Sequence, residues 1–429
     1  MHIELEYDKS GVGLEIPDHV RATVLESRFA RSLVDPKGEL NQAIQNPIGC
    51  QSLEELAKGK KSAAISICDI TRPAPNSLVL PPIVSALERG GIASSEIRLL
   101  IATGLHREAT DEELDEILGP DIRSKYWVDS HRARNLDEHV DLGITSGGTH
   151  AYVDKRFVEA DLHITVGFIE PHLMAGFSGG RKLISIGLAG EPTIKRLHSP
   201  LYMRNPNAVE GSFPDNPLHR ELMEIAAKAG HDFMVDVALT RDRDIAAVFA
   251  GDPVVAHEAG VQFVRKSTLA VIDEPVDAVV TTSGGYPLDL TFYQAVKGVT
   301  AASHIVKNDG SILLVAACRE GLGGEEFATM VRRSLPWDVL LDELQSKEVG
   351  VDQWQAEKLA MVARNKNLSF CLPGVEESDW RHLWGPVFHS PQQAFDNLVA
   401  ELPADPSLVV IPEGPYVFAQ LSALTAMEV

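Results

Sequence analysis

The chain is poor in cysteine, with four in 429 residues: Cys50, Cys68, Cys318 and Cys371. No two of them form a CxxC pair, so the sequence encodes neither a zinc knuckle nor a dithiol redox motif. Disulfide frameworks belong to much smaller secreted chains. Cys68 and Cys318 end apolar runs and read as small buried hydrophobes. Positive charge is also scarce. Lys and Arg number 39 against 61 Asp and Glu, a formal net charge of −22. A nucleic-acid partner requires a basic face, so that class is excluded. Small anionic substrates stay compatible, because a few local Arg, Lys and His side chains set the field inside a cleft. No apolar run approaches the roughly 20 residues of a membrane span. The opening stretch, MHIELEYDKSGVGLEIPD, lacks the basic and apolar regions of a secretion signal. The expected location is therefore cytoplasmic, with no membrane partner. Three catalytic fingerprints are missing as well. There is no GxxxxGK[ST] phosphate loop, no GxGxxG and no HExxH. An NAD-dependent dehydrogenase and a zinc hydrolase thereby lose their usual signatures.

What is present is ordinary for a globular chain, with 44% hydrophobic and 23% charged residues. The length suggests about two or three domains and a sizeable core. Apolar runs of strand length alternate with helical spacing. SAAISICD (62–69), IRLLIAT (97–103), DLHITVGFI (161–169), the run at 233–239, VDAVVTT (276–282), GSILLVAA (310–317) and SLVVIPE near the C-terminus read as strands. Helices are expected at 77–89, after a capping box of Thr110 and Glu113, from Pro217, over about 290–307, and within 337–364. Such alternation predicts two α/β domains with mainly parallel sheets covered by helices, and an active site in the cleft between them. The acidic, proline-containing VIDEPV at 271–276 marks the expected boundary. It separates a cofactor-binding domain at 1–270 from a domain at 271–429 that closes over the substrate, with the last helix or strand free to pack back on the first domain.

Ligands of open α/β sheets sit at the carboxyl ends of strands, and polar clusters fall at four such ends. DITRP follows the strand at 62–69 and TGLHRE the strand at 97–103. EPHLMAGFSGGRK follows 161–169, and SGGYPLDLTFYQAVKG follows 276–282. His106 and His172 are placed to move protons or to bond backbone in their loops; two such histidines suit inversion at one carbon. Gly176, Gly179 and Gly180 let backbone N–H groups close on an anion. Lys182 reads as a phosphate-binding charge, a covalent attachment amine or a solvated side chain. Asp69 and Arg72 form an acid–base pair, with Arg72 suited to clamp a carboxylate. Gln294 and Lys297 lie three apart on one helix face and could orient a substrate carboxylate or hydroxyl. His198 is a lone histidine near a helix end. Zinc sites want three or four protein ligands, so a metal at His198 would take most of its donors from elsewhere. Trp354 reads as core or as a substrate wall.

Taken together, DxTRP, TGxHR, EPHxMxGFSGGRKLI, a following LHS and GGxPxDxxxYQxxKG, in this order, resemble the nickel-pincer lactate racemase family. The resemblance covers roughly residues 69–298 by motif. It implies nickel and a nickel-pincer nucleotide, a pyridinium-3-thioamide-5-thiocarboxylic acid mononucleotide whose ring carbon and two sulfur arms hold the metal. The residue matching the thioamide-forming lysine is Lys182, and the residue matching the remaining nickel ligand is His198. Nickel in a square-planar field suits such donors. His106 and His172 match the acid–base pair. Arg72, Gln294 and Lys297 match residues that hold the substrate carboxylate, Asp69 matches a residue expected to position Arg72, and Asp69 and Arg72 are also expected among the cofactor-binding residues. Gly179 and Gly180 are expected to lie against the cofactor. Met174, Tyr293 and Trp354 fall where walls for the substrate tail are expected.

The implied activity is that of a racemase or epimerase inverting C2 of a 2-hydroxy carboxylic acid. Hydride passes to the cofactor ring while a histidine takes the hydroxyl proton, a 2-keto acid forms briefly, and hydride returns to the other face. The substrate is expected to be a lactate-like short 2-hydroxy acid or a sugar acid such as gluconate. The implied partners are that substrate and the proteins that make the cofactor. The alternative is a non-catalytic homologue of the same fold that carries the cofactor or nickel. The sequence leaves the oligomeric state open.

Overall fold

The computed structural model describes residues 1–27 and 30–422. By internal contacts the chain divides into two units. One comprises residues 30–198 and 206–266, the other residues 1–27, 199–205 and 267–422.

The first unit is built on a six-stranded sheet. Ala63–Cys68 is buried at all six positions. Continuous apolar runs of this kind suit strands covered on both faces. Ala63–Cys68 pairs in parallel with Ile97–Ala102 on one side and His163–Phe168 on the other. Trp127–Ser130 extends the sheet in parallel beyond Ile97–Ala102, and Phe233–Leu239 does so beyond His163–Phe168. Ile245–Gly251 closes that edge antiparallel to Phe233–Leu239. Strand order therefore reverses between Ala63–Cys68 and His163–Phe168. Loops leaving those two strands diverge and open a crevice at their carboxyl ends. Helix Asn76–Arg89 buries Val79, Leu80, Ile83, Val84 and Leu87, the i, i+3, i+4 stripe of a helix on a sheet. The capping box expected of Thr110 and Glu113 is formed in both directions at helix Asp111–Leu118. Helix Pro217–Ala229 starts with proline in its first turn, and Asn216 accepts from the N–H groups of Leu218 and His219.

The second unit carries another six-stranded sheet. Its strands, in spatial order, are Val387–Phe388, Asn367–Cys371, Val306–Val315, Val276–Thr282, Leu408–Ile411 and Ala22–Val24. Every pairing is parallel. Ala22–Val24 places the N-terminal segment in this unit by pairing with Leu408–Ile411. The last strand, Phe418–Leu421, pairs with Leu269–Ile272 in the same unit. The α/β architecture read from the sequence is thus present in both units.

The structure departs from the expected element bounds in two places. The helix expected over about 290–307 ends at Ser303, and the next strand begins at Val306 instead of Gly310. Asn308-Asp309-Gly310 lies inside that strand, whose register against its neighbour shifts between Val276 and Ala278, with Asp309 at φ 60°. The helical stretch at 337–364 is two helices, Trp337–Ser346 and Gln353–Ala363. Among the described residues, no helix is long and apolar enough to cross a membrane.

Candidate active site

The loop after Ala63–Cys68 carries Asp69 and Arg72, and the loop after Ile97–Ala102 carries His106. Asp69 is 6% exposed. Its Oδ2 lies 2.7 Å from His106 Nδ1, and its Oδ1 accepts from Thr71 Oγ1 at 2.7 Å. Burial pushes the Asp69 carboxyl up, but the hydrogen bond and charge of His106, then Arg72 and Thr71, outweigh it and hold the group below its usual value. The carboxylate therefore fixes the imidazole with Nδ1–H toward Asp69 and Nε2 outward. The His106 side chain keeps 40% of its surface exposed. Asp69 was expected to position Arg72. Its carboxylate instead bonds His106 and Thr71 and reaches the Arg72 side chain only through space, while Arg72 N–H donates to the Asp69 carbonyl at 3.1 Å.

The loop after His163–Phe168 turns back on itself as a two-residue ladder, with Pro171 opposite Phe177 and His172 opposite Gly176. Ser178 Oγ staples it to the strand end, donating to the Phe168 carbonyl and accepting from Glu170 N–H, both at 2.9 Å. His172 Nδ1 accepts from the N–H groups of Met174 and Ala175 at 3.4 and 3.2 Å. Lys182 Nζ lies 2.7 Å from His172 Nε2. Lys182 opens a single helical turn, Lys182–Ser185, which Ser185 Oγ ties to the Leu222 carbonyl at 2.6 Å. Met174 is buried at 5% exposure, in the same hairpin as His172.

The glycines were expected to offer N–H groups to a bound anion. Gly179 and Gly180 do have positive φ, 82° and 43°. The Gly180 N–H, however, donates to Asp236 Oδ2 at 2.8 Å. A Cβ on Gly179 would meet that oxygen at 2.2 Å. An internal carboxylate thus occupies the concave side of the turn. Asp236 is fully buried, and its Oδ1 has no hydrogen-bond partner. Burial raises its pKa to about 7 against the opposing pull of Gly180 N–H and Arg181. Arg181, 1% exposed, binds four carbonyls of the same loop, those of Ser178, Gly179, Ala175 and Phe177, at 2.8–3.2 Å. Its Nη1 also lies 2.6 Å from His257 Nε2. Neither Asp236 nor Arg181 was singled out from the sequence. A signal existed for Asp236, since one carboxylate interrupts the otherwise apolar strand FMVDVAL.

His198 caps helix Glu191–Leu197, as its place before Pro200 implied. Its Nδ1 lies 2.8 Å from the Ile194 carbonyl. That contact requires the proton on Nδ1 and leaves Nε2 as the lone-pair nitrogen. Burial pushes its pKa down to about 4, so the ring is neutral at neutral pH. A neutral imidazole with one nitrogen anchored to a carbonyl is the form that ligates metals. Among the described residues, no group of three or more His, Cys, Asp or Glu is gathered to hold a metal ion.

The remaining expected residues belong to the second unit. Gln294 and Lys297 share helix Phe292–Ser303, where Thr291 Oγ1 caps the Gln294 N–H. Gln294 Oε1 is buried with no hydrogen-bond partner. Tyr293 precedes them, and its hydroxyl accepts from Trp354 Nε1 at 2.9 Å. Trp354 is 6% exposed on helix Gln353–Ala363. Gln355 Nε2 donates to the Tyr293 carbonyl at 2.8 Å, so this helix fixes both ends of Tyr293.

Two family models match the chain: the lactate racemase N-terminal domain over residues 7–211 and the lactate racemase C-terminal domain over residues 271–419. A lactate racemase from Thermoanaerobacterium thermosaccharolyticum is 36% identical over 370 residues, 85% of this chain and 86% of that protein. A lactate racemase from Lactiplantibacillus plantarum is 34% identical over 418 residues, 96% of this chain and 98% of that protein. The solved lactate racemase apoprotein from T. thermosaccharolyticum matches with a TM-score of 0.91 at 32% identity, covering 98% of this chain and 100% of that one. A Thermotoga maritima protein shares the fold, with a TM-score of 0.68 at 16% identity over 90% of this chain and 98% of that one.

Proposed function

The chain belongs to the lactate racemase family and is an isomerase, and from that premise we propose that it inverts C2 of a short 2-hydroxy acid, lactate before a sugar acid such as gluconate. The observation that carries this reading is the set of side chains at the reversal of strand order. His106 is oriented by Asp69 from one side of it, and His172 stands beside Lys182 on the other. Two histidines at one crevice suit a reaction that must handle the same proton for either enantiomer.

The donor set fits a nickel-pincer nucleotide. His198 supplies one neutral nitrogen, and no further protein ligands are gathered among the described residues. A metal here takes its other donors from an organic group. Lys182 is the amine on which such a group would be carried. When bound, that group supplies a reversible hydride acceptor for C2. The protein's own side chains do the rest. His106 Nε2 takes and returns the hydroxyl proton while Asp69 steadies the ring. His172 serves the other enantiomer. Arg72, Gln294 and Lys297 hold the substrate carboxylate, with Arg72 suited to a bidentate grip. Tyr293, fixed by Trp354, and Met174 border the substrate tail. The reading requires proteins that make the cofactor.

The test is intact mass and peptide mapping of the chain co-produced with the cofactor-making proteins, with optical rotation of lactate as the activity. The expected result is a mass increase of nucleotide size on the Lys182 peptide, bound nickel, and loss of optical rotation from either pure enantiomer. An unmodified lysine with no racemisation overturns the reading.

A further inference from the structure

We propose that His131 is a positioning residue for the site: its ring, protonated at both nitrogens, clamps the Ala189 carbonyl to the Asp154 carboxylate and so holds the segment joining Lys182 to His198 against the base of the loop that carries His106. The inference rests on the reading of His198 as the nickel ligand and names a residue on which the placement of that ligand depends.

The argument is one of donors and acceptors. His131 follows the strand Trp127–Ser130 and is buried, at 1% exposure. Its Nδ1 lies 2.9 Å from Asp154 Oδ2, and its Nε2 lies 2.9 Å from the Ala189 carbonyl. A carbonyl only accepts, so Nε2 carries hydrogen. Asp154 is held as a carboxylate, which only accepts as well. Arg156 donates to its Oδ1 from the backbone N–H and from Nε, at 3.0 and 2.9 Å, and to its Oδ2 from Nη2 at 2.5 Å. Burial pushes the Asp154 carboxyl up, but the hydrogen bonds of Arg156 and His131 outweigh it and hold the group below its usual value. Nδ1 therefore carries hydrogen too, and the ring is a cation. The ring of His139 lies 5.1 Å away, nearly perpendicular. Burial, and then the charge of His131, holds His139 below its ordinary value.

The clamp joins parts of the site that lie in the first unit. The His131 N–H donates to the Ile101 carbonyl at 3.1 Å, and the His131 carbonyl accepts from Thr103 Oγ1 at 2.7 Å. The Thr103 carbonyl in turn accepts from the His106 N–H at 2.9 Å. Across the ring, Ala189 lies in the short stretch between the turn Lys182–Ser185 and helix Glu191–Leu197, which His198 caps. That stretch also meets the His106 loop directly, where the Gly104 N–H donates to the Gly187 carbonyl at 3.0 Å. The N–H groups of Gly190 and Glu191 donate to the carbonyls of Tyr152 and Ala133 at 2.9 and 2.8 Å and fix the start of the helix.

Those ties are amides and do not titrate; the tie at His131 does. As pH rises and the ring gives up one proton, the charged acceptor Asp154 keeps the Nδ1–H. Nε2 is left with a lone pair facing the Ala189 carbonyl, and the clamp opens on that side. The charges beyond Asp154 are Arg156, Asp129, Arg132 and Glu138, linked by hydrogen bonds of 2.5–3.5 Å. Glu108 pairs with Arg132 at 3.0 Å. Beyond Ala189, Glu191 pairs with Arg134 and Lys195. Carboxylates and guanidiniums do not change charge in the range where imidazoles do.

The test is the nitrogen chemical shifts of labelled histidine in the unloaded chain, followed as pH is raised from 7. At pH 7 both ring nitrogens of His131 should have the shifts of N–H groups. As His131 then loses its proton, the ring signals of His198 should move in step. Burial pushes His198 itself down to about 4, so it does not titrate there and the movement reports its placement. In His131→Gln, which keeps an amide donor and no titrating ring, that step should vanish. A bare nitrogen on His131 at pH 7, His198 signals that stay put through the His131 titration, or a step that persists in His131→Gln overturns the proposal. The first two readings come from the wild-type chain and stand whether or not the variant folds. On the loaded chain, nickel should pass to a chelator about tenfold faster from His131→Gln than from wild type. His198→Ala, run alongside, separates the failures. If it keeps nickel as wild type does, the reading of His198 as the ligand fails, and the nitrogen shifts alone decide the clamp. If it loses nickel and His131→Gln does not, this inference fails.

Discussion

Asp69 Oδ2 and His106 Nδ1 lie 2.7 Å apart, bridging the loops that leave two neighbouring parallel strands. The carboxylate is buried and the imidazole reaches outward. This is the arrangement of a base whose ring is set by a partner that itself touches no substrate. Asp69→Asn should leave the fold and the mass of the loaded chain unchanged and lower kcat for lactate racemisation about 100-fold. KM should hardly move. Initial rates from both enantiomers, followed by optical rotation, check the prediction.

Lys182 and His198 should separate cleanly in their losses. Lys182→Ala should abolish the nucleotide-sized mass increase. His198→Ala should keep that mass and lose nickel, because its Nε2 is the lone-pair nitrogen of a neutral ring. Intact mass together with elemental analysis reads the two outcomes.

Gly179 cannot accept a side chain. Its φ of 82° is strained for any L-residue, and a Cβ would stand 2.2 Å from Asp236 Oδ2. Gly179→Ala should destabilise the first unit by about 1–3 kcal/mol and lower the fraction of chains modified at Lys182. Thermal unfolding and mass mapping provide the two readouts.

On helix Phe292–Ser303, Lys297→Ala should raise KM for lactate about tenfold or more while the cofactor and nickel stay bound. Loss of the carboxylate partner proposed at Lys297 would weaken substrate and transition state alike. Steady-state kinetics on the fully loaded variant decides it.

Acid should destabilise the protein through its buried histidines. Burial holds His198 at about 4 and His219 at about 3, and His257 well below its ordinary value. The unfolded chain takes up these protons near pH 6.5, the folded chain only below the lowered values. Stability is therefore lost as pH falls from about 6.5 toward 4, by up to about 1.4 kcal/mol per pH unit for each histidine. Asp236 runs the other way. Its pKa is raised to about 7, so its protonated form favours the folded state at low pH, a contribution lost as pH rises toward 7. Asp236→Asn should thus make the acid loss steeper. Urea unfolding at pH 7, 6 and 5 measures both slopes.

The strands Ala63–Cys68, Ile97–Ala102 and His163–Phe168 were legible as apolar runs, because burial on both faces leaves little choice of side chain. So were the polar segments that follow them, because glycine, proline and charge concentrate where a strand stops and a ligand can approach. Ala22–Val24 was not legible. Three residues at a sheet edge carry no period, and their partner, Leu408–Ile411, lies far along the chain. The two-residue ladder of Pro171–His172 with Gly176–Phe177 was likewise hidden, being too short to leave a pattern.

The sequence by itself determined which side chains were available for chemistry: two histidines, a lysine and an arginine in segments that follow strands, and a third histidine at a helix end. Local spacing suffices for that, since strand and loop are short-range properties. Only the tertiary structure decided what each of them touches. It turned Asp69 toward His106, aimed His172 Nε2 at Lys182, and filled the glycine turn with Asp236 instead of an outside anion. Hydrogen-bond partners are set by strands that meet across the sheet, such as Phe233–Leu239 beside His163–Phe168, and no spacing along the chain records that meeting.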